Sequence, residues 1–194
     1  MDATDLKAWS NGAHRKPTDK DAGWVVKNDT AGRGKFTWGY KLSLLVDTRY
    51  ELPLSFKVTS GNVHELKAAP TLLSQARWIN CKFHPKYVIA DAGYSSEEFR
   101  RLIRRQYLGV PIIKTNPAHK KAFKRYTETD LWQFIYNRRT CTERLFSRLK
   151  GHRKLNSIRV RGLRKVRLHC LMSVLVLQAQ ALATGSISLA RSVN

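Results

Sequence analysis

The 194-residue chain carries 36 Lys and Arg against 14 Asp and Glu, a formal charge of +22, with 42% apolar and 10% aromatic residues. That apolar content excludes a basic disordered tail and suits one domain with a real core. The cation excess excludes a chain built for small neutral metabolites and points to polyanions, either nucleic acid or an anionic membrane surface.

Export and membrane insertion are read as absent. The apolar stretch Leu168–Ala183 is broken by His169, Ser173, Gln178 and Gln180 and falls short of the ~20 apolar residues of a spanning helix. The N-terminal Met1-Asp2-Ala3-Thr4-Asp5 has no apolar signal core. Cys81, Cys141 and Cys170 are scattered and odd in number, and the histidines lack paired ligand spacing, so neither a disulfide framework nor a zinc site is indicated. A cytoplasmic protein is expected.

In chain order, Asp2–Asp5 is a candidate first strand, and residues 10–34 read as a loop rich in Gly, Asn, Asp and Lys. Phe36, Trp38, Tyr40, Leu42 and Leu44, then Leu52, Leu54, Phe56 and Val58, alternate around a Thr48-Arg49 turn and predict an antiparallel hairpin with one buried face. Leu66, Ala69, Leu72, Leu73 and Ala76 have helical spacing. Tyr87–Ala90 reads as a central strand ending at Asp91, and Ser95-Ser96-Glu97-Glu98 as the capped start of a helix. Val110–Ile113 is a strand whose Pro111 suggests an edge. A basic loop over His119–Arg125 precedes one helix over about Asp130–Leu149 and a last one over about Leu163–Ala183.

Acids are scarce enough to be informative. No Asp or Glu follows Glu143, which sits among Arg138, Arg139, Arg144, Arg148, Lys150, Arg153 and Lys154. At about 100° per residue, Tyr136, Arg139, Glu143 and Lys150 share a ~60° arc of one helix, with Leu131, Phe134, Leu145 and Leu149 opposite. A single carboxylate ringed by donors is either a structural ion-pair partner or a ligand for a hard cation beside a phosphate backbone. Asp91, at the end of an apolar strand, is either a ligand residue at a sheet's carboxyl edge or a turn-forming Asp. Asp19, Asp21 and Asp29 read as turn or solubility residues, and His64-Glu65 as a helix start.

The spacing Tyr136-x2-Arg139-x3-Glu143-x6-Lys150 resembles the Y-R-E-K signature of bacterial insertion-sequence transposases of the IS-four and IS-five groups. Asp91-Ala-Gly-Tyr94 and Asp2-Ala-Thr4 resemble the blocks that carry that family's second and first catalytic Asp. Gly39-Tyr40-Lys41, Glu51-Leu52-Pro53-Leu54 and Gly61-Asn62-Val63-His64 resemble its framework sequences, and the likeness runs from Asp2 to about Ala183. The resemblance implies a DDE catalytic domain over residues 1–183 with a tail over 184–194. Its fold would be RNase H-like α/β: a mixed five-stranded sheet, a three-strand antiparallel meander plus two parallel strands, flanked by helices. It further implies that Asp2, Asp91 and Glu143 are catalytic and hold two Mg²⁺ ions, with Mn²⁺ a possible substitute. Tyr136, Arg139 and Lys150 would contact phosphates of double-stranded DNA at transposon ends, with the protein acting as a dimer on DNA and associating with the nucleoid.

Only Met1 precedes Asp2, where the family carries an N-terminal region. The expectation is therefore a chain clipped close to its first catalytic residue, with Asp2 at a fraying end. The 51 residues between Asp91 and Glu143 leave little room for the β-rich insertion of some members. A catalytically inactive DNA-binding remnant is the alternative to an active enzyme, and a ribosome-type RNA-binding protein ranks behind both.

Overall fold

A computed structural model describes residues 1–13, 16–28, 34–115 and 129–192. The hub is β3 (Gly34–Asp47), a 14-residue strand whose Tyr40, Leu42 and Leu44 point to one face and Leu45 to the other. β1 (Asp2–Lys7) and β4 (Leu52–Ser60) both pair antiparallel with its Tyr40–Leu44 stretch and therefore flank it on opposite edges. β2 (Gly23–Asn28) pairs antiparallel with the Gly34–Gly39 half of β3. Where β4 ends it abuts β2 so closely that a Cβ on Gly61 would stand 2.4 Å from the Gly23 carbonyl oxygen, so only glycine fits.

A second sheet pairs β5 (Tyr87–Ala90) parallel with β6 (Val110–Ile113). Among the described residues there are thus six strands in two sheets, an antiparallel four and a parallel pair, where the sequence suggested one sheet of five. The added strand, β2, lies inside the stretch read as loop. Its Val25 is buried while Trp24 and Val26 are exposed, so its alternation is short and lies among turn-forming residues.

Helices cover both faces. α1 (Ala69–Ile79), opened by Pro70, buries Ala69, Leu72, Leu73 and Ala76, as its spacing predicted. α2 (Glu97–Tyr107) is capped by the Ser96 hydroxyl, which accepts from Phe99 N, and buries Phe99, Ile103 and Tyr107. These residues join Leu45, Val88 and Ile113 in one core cluster. On the other face α4 (Thr140–Gly151) and α5 (Leu163–Ser192) pack Leu145, Leu149, Val166 and Cys170 against Leu42 and Leu44. α3 (Asp130–Asn137) rests Ile135 on Ile89 and Ile112 of the parallel pair.

Two expectations are corrected here. The single helix over 130–149 is two helices, because i→i−3 bonds, Cys141 N to Arg138 O and Thr142 N to Arg139 O, tighten the chain at Arg138–Arg139. The register shift leaves Leu131 and Phe134 exposed while Leu145 and Leu149 are fully buried, so the four do not share one apolar face. The last helix also runs on to Ser192, and its Leu163–Thr184 segment is long and apolar enough to cross a membrane, unlike the shorter stretch counted in the sequence. In this fold it packs along β4 through one stripe, Val166, Cys170, Val174 and Leu177. The predicted basic loop over 119–125 and Asp29 lie outside the described residues.

All three cysteines are free: Cys81 is exposed, Cys141 and Cys170 are buried, and burial pushes the Cys170 thiol up to about 12. Titration of the native protein with a disulfide reagent at pH 8 should therefore count one fast thiol, and three after denaturation. Two or three fast thiols would show that the α4–α5 layer opens readily.

Candidate active site

The fold carries Asp2, Asp91 and Glu143 to one region from three separate elements. Asp2 is the first residue of β1 and is buried, its Oδ1 accepting from Ala3 N at 2.8 Å. The end is not frayed: the Met1 ammonium donates to Ile89 O of β5 at 2.6 Å, tying the first strand to the parallel pair. Asp91 follows β5 and caps a 3-10 turn (Ala92–Tyr94), its Oδ1 accepting from Gly93 N at 2.9 Å. This is the carboxyl end of a parallel strand, where open α/β sheets place their ligands. Glu143 lies in the first turn of α4 with its side chain half exposed.

One guanidinium joins two of these acids. Arg139 donates to Asp2 Oδ2 at 2.9 Å and to Glu143 Oε1 at 2.6 Å. Burial, and then the neighbouring Asp91 charge, push the Asp2 carboxyl above the ordinary aspartate range, while the Ala3 N–H and Arg139 draw it back. Tyr136 stacks flat on Trp132, ring centroids 4.9 Å apart at 10°, with the Arg139 guanidinium 6.0 Å from its own ring. Burial raises its phenol pKa, so it stays a protonated donor at neutral pH. Lys150 does not join this cluster; two turns further along α4, it lines a hollow with residues of β1, β2 and β3.

Sequence reasoning passed over two further acids. Glu65 opens the 3-10 turn Glu65–Lys67, where His64 Nδ1 does accept from Leu66 N as a helix start requires. Its carboxylate also turns toward Asp91: a Cβ on Gly93 would meet Asp91 Oδ1 at 3.1 Å and Glu65 Oε2 at 3.4 Å. Burial and the Asp91 charge push Glu65 above the ordinary glutamate range. The signal available was scarcity, an acid directly after a framework block in a chain with few acids. Glu51, at the β3–β4 turn with φ +53°, accepts from Arg144 and, at 2.8 Å, from Arg148, so it fixes the outer side of α4. These bonds hold the Glu51 carboxyl below its ordinary range.

Asp2, Asp91 and Glu143 offer only carboxylate oxygens, the donor type that hard divalent ions prefer. The position between Asp2 and Glu143 is held by the Arg139 cation, and among the described residues no three acidic, His or Cys side chains are grouped tightly enough to hold an ion. The donor chemistry therefore fits a divalent cation once Arg139 withdraws.

Against known proteins, a family model described as a transposase DDE domain matches residues 1–178, nearly the whole chain. The chain belongs to the transposase DDE domain family, a class of DNA-acting proteins that typically use a divalent metal. No curated protein and no solved structure matches it.

Proposed function

We propose that this chain is the catalytic domain of an insertion-sequence transposase, cleaving phosphodiesters at element ends and joining them to target DNA. The observation that carries the reading is the convergence of Asp2, Asp91 and Glu143, from β1, the end of β5 and α4, around one arginine. In this reading the two sheets form one RNase H-like core, with the Met1–Ile89 hydrogen bond as their link. The domain is taken as residues 1–183 with a tail over 184–194, and the subtype as the IS-four or IS-five group.

Asp2, Asp91 and Glu143 would hold Mg²⁺, with Mn²⁺ a substitute, and the bound ions would activate the attacking oxygen and neutralise charge at the phosphorus. The protein's own groups do the rest. Arg139, released from Asp2 and Glu143, offers a two-pronged donor for a non-bridging phosphate oxygen. Tyr136 donates its hydroxyl proton from a ring held flat against Trp132. Glu51 keeps α4 oriented through Arg144 and Arg148, so that Glu143 and Arg139 hold their places. Double-stranded DNA is the substrate, and a dimer on paired ends is the acting species, as the resemblance implies.

A specific observation favours the second reading, an inactive DNA-binding remnant: Arg139 closes the space between Asp2 and Glu143. Nicking of supercoiled plasmid with Mg²⁺ separates the two. We expect nicking that Glu143→Gln abolishes while duplex binding stays within about threefold. Binding with no nicking, unchanged by Glu143→Gln, would establish the remnant.

A further inference from the structure

The hollow that takes Lys150 is lined by more cations than the signature explains. Lys7 at the end of β1, Lys27 of β2, Lys35 of β3 and Lys150 of α4 surround a cavity of about 260 Å³, with Asp5 as its single acid. Lys27 and Lys35 face each other directly in the β2–β3 register, a like-charge pairing that destabilises a hairpin. Asp5 offsets one of these charges, binding Lys27 at 2.6 Å, and leaves a surplus of three. Burial lowers the Lys150 ammonium pKa, opposed by the Asp5 carboxylate and reinforced by the Lys27 charge.

Aromatic contacts brace the two strands of the hairpin that carry this cluster. On its other face Trp24 meets Trp38 and Phe36 edge to face, at 5.3 Å and 6.5 Å between centroids, and Trp38 Nε1 donates to Ser10 Oγ at 3.0 Å. The hollow also has a fixed relation to the acids. Glu143 and Lys150 are seven residues apart on α4, hence on one face and separated by about 10 Å of rise. With the duplex axis running along α4, that rise matches roughly three nucleotides at about 3.4 Å of axis each.

We propose that the Lys7, Lys27, Lys35 and Lys150 hollow is a second phosphate-binding site, which grips the backbone of double-stranded DNA about three nucleotides from the phosphodiester held at the carboxylates. The β2–β3 hairpin is then a clamp that sets how far the duplex lies across α4. This inference rests on the transposase reading and extends it to residues outside the Y-R-E-K column.

The test compares duplex binding by fluorescence anisotropy, across a salt titration, for wild type, Lys27→Gln/Lys35→Gln, Lys27→Arg/Lys35→Arg and a control, Lys82→Gln/Lys86→Gln. The Gln pair should weaken binding about tenfold near 100 mM salt and make the log–log salt slope shallower by about one. The Arg pair, which keeps charge, should restore both, and the control should stay within twofold of wild type. In phosphate ethylation interference, the Gln pair should lose one contact about three nucleotides from the cut site and keep the contact at the cut site. An unchanged slope for the Gln pair overturns the clamp even where Mg²⁺-dependent nicking confirms the enzyme. Failure of the wild type to nick any duplex defeats the transposase reading instead and leaves the binding comparison to judge the clamp.

Discussion

Asp2→Asn should lower Mg²⁺-dependent nicking about a thousandfold or more while leaving Tm unchanged or a few degrees higher. The loss follows if Asp2 is an ion ligand, since electrostatic stabilisation worth several kcal/mol is about three decades in rate. The stability half follows from burial. The Asp2 carboxyl is pushed up by desolvation and by Asp91 more than the Ala3 N–H and Arg139 pull it down, so its charged form is disfavoured in the fold. A group with a raised folded pKa binds its proton more tightly when folded, so wild-type stability falls as pH climbs from the ordinary carboxylate range through the raised one. Glu65 titrates in the same sense, so Asp2→Asn should remove part of that slope and not all of it. Asn keeps an amide oxygen for Ala3 N but turns its NH₂ toward Arg139, which then holds its bond to Glu143 alone. Nicking rates and thermal melts at several pH values decide the matter. Full activity in Asp2→Asn removes Asp2 from the site, and a large fall in Tm shows that the pair with Arg139 outweighs desolvation.

Strand and helix identities followed from period: α1 and α2 repeat at 3.6 residues because each has one buried face, and β3 and β4 alternate at 2, although β3 is buried on both faces from Leu42 to Val46, where the sequence suggested one. The break at Arg138–Arg139 was not visible, since Tyr136 through Lys150 keep helical spacing and neither Pro nor Gly marks the stop. It is a tertiary effect, arising where Arg139 is drawn to Asp2, 137 residues away in the chain. Glu65 and Glu51 were hidden for the same reason, because their partners come from distant elements. Asp19 and Asp21 were read as turn or solubility residues; Asp19 does accept from Asp21 N and Asp21 is exposed, yet Asp19 is 2% exposed. Local composition gives Asp in a Gly- and Lys-rich stretch its commonest role, whereas here the loop folds under the start of α5.

Asp19→Ala is expected to have a large effect on stability. The Asp19 carboxylate accepts from the Tyr40 hydroxyl at 2.7 Å, from Gly162 N at 3.2 Å and from Asp21 N at 3.3 Å. Tyr40 is wholly buried in the core, and burial and Asp19 together raise its pKa, so its hydroxyl remains a donor that must be satisfied. Gly162, at φ +86°, and Leu163, whose N–H donates to Asp21 Oδ2 at 2.8 Å, form the entry to α5, so the loop is also that helix's cap. Truncating Asp19 strands the Tyr40 hydroxyl and the Gly162 N–H together, a cost of about 3 kcal/mol. For a chain of this size that is a fall in Tm of about 10 °C. Tyr40→Phe alone should cost about 1 kcal/mol, and adding it to Asp19→Ala should cost less than the sum, because the orphaned donor is then gone. Denaturant melts of the two single variants and the double variant close that cycle. Additive costs would mean that the hydroxyl and the carboxylate are not partners. A cost under about 1 kcal/mol for Asp19→Ala would mean that α5 is held by its apolar stripe alone.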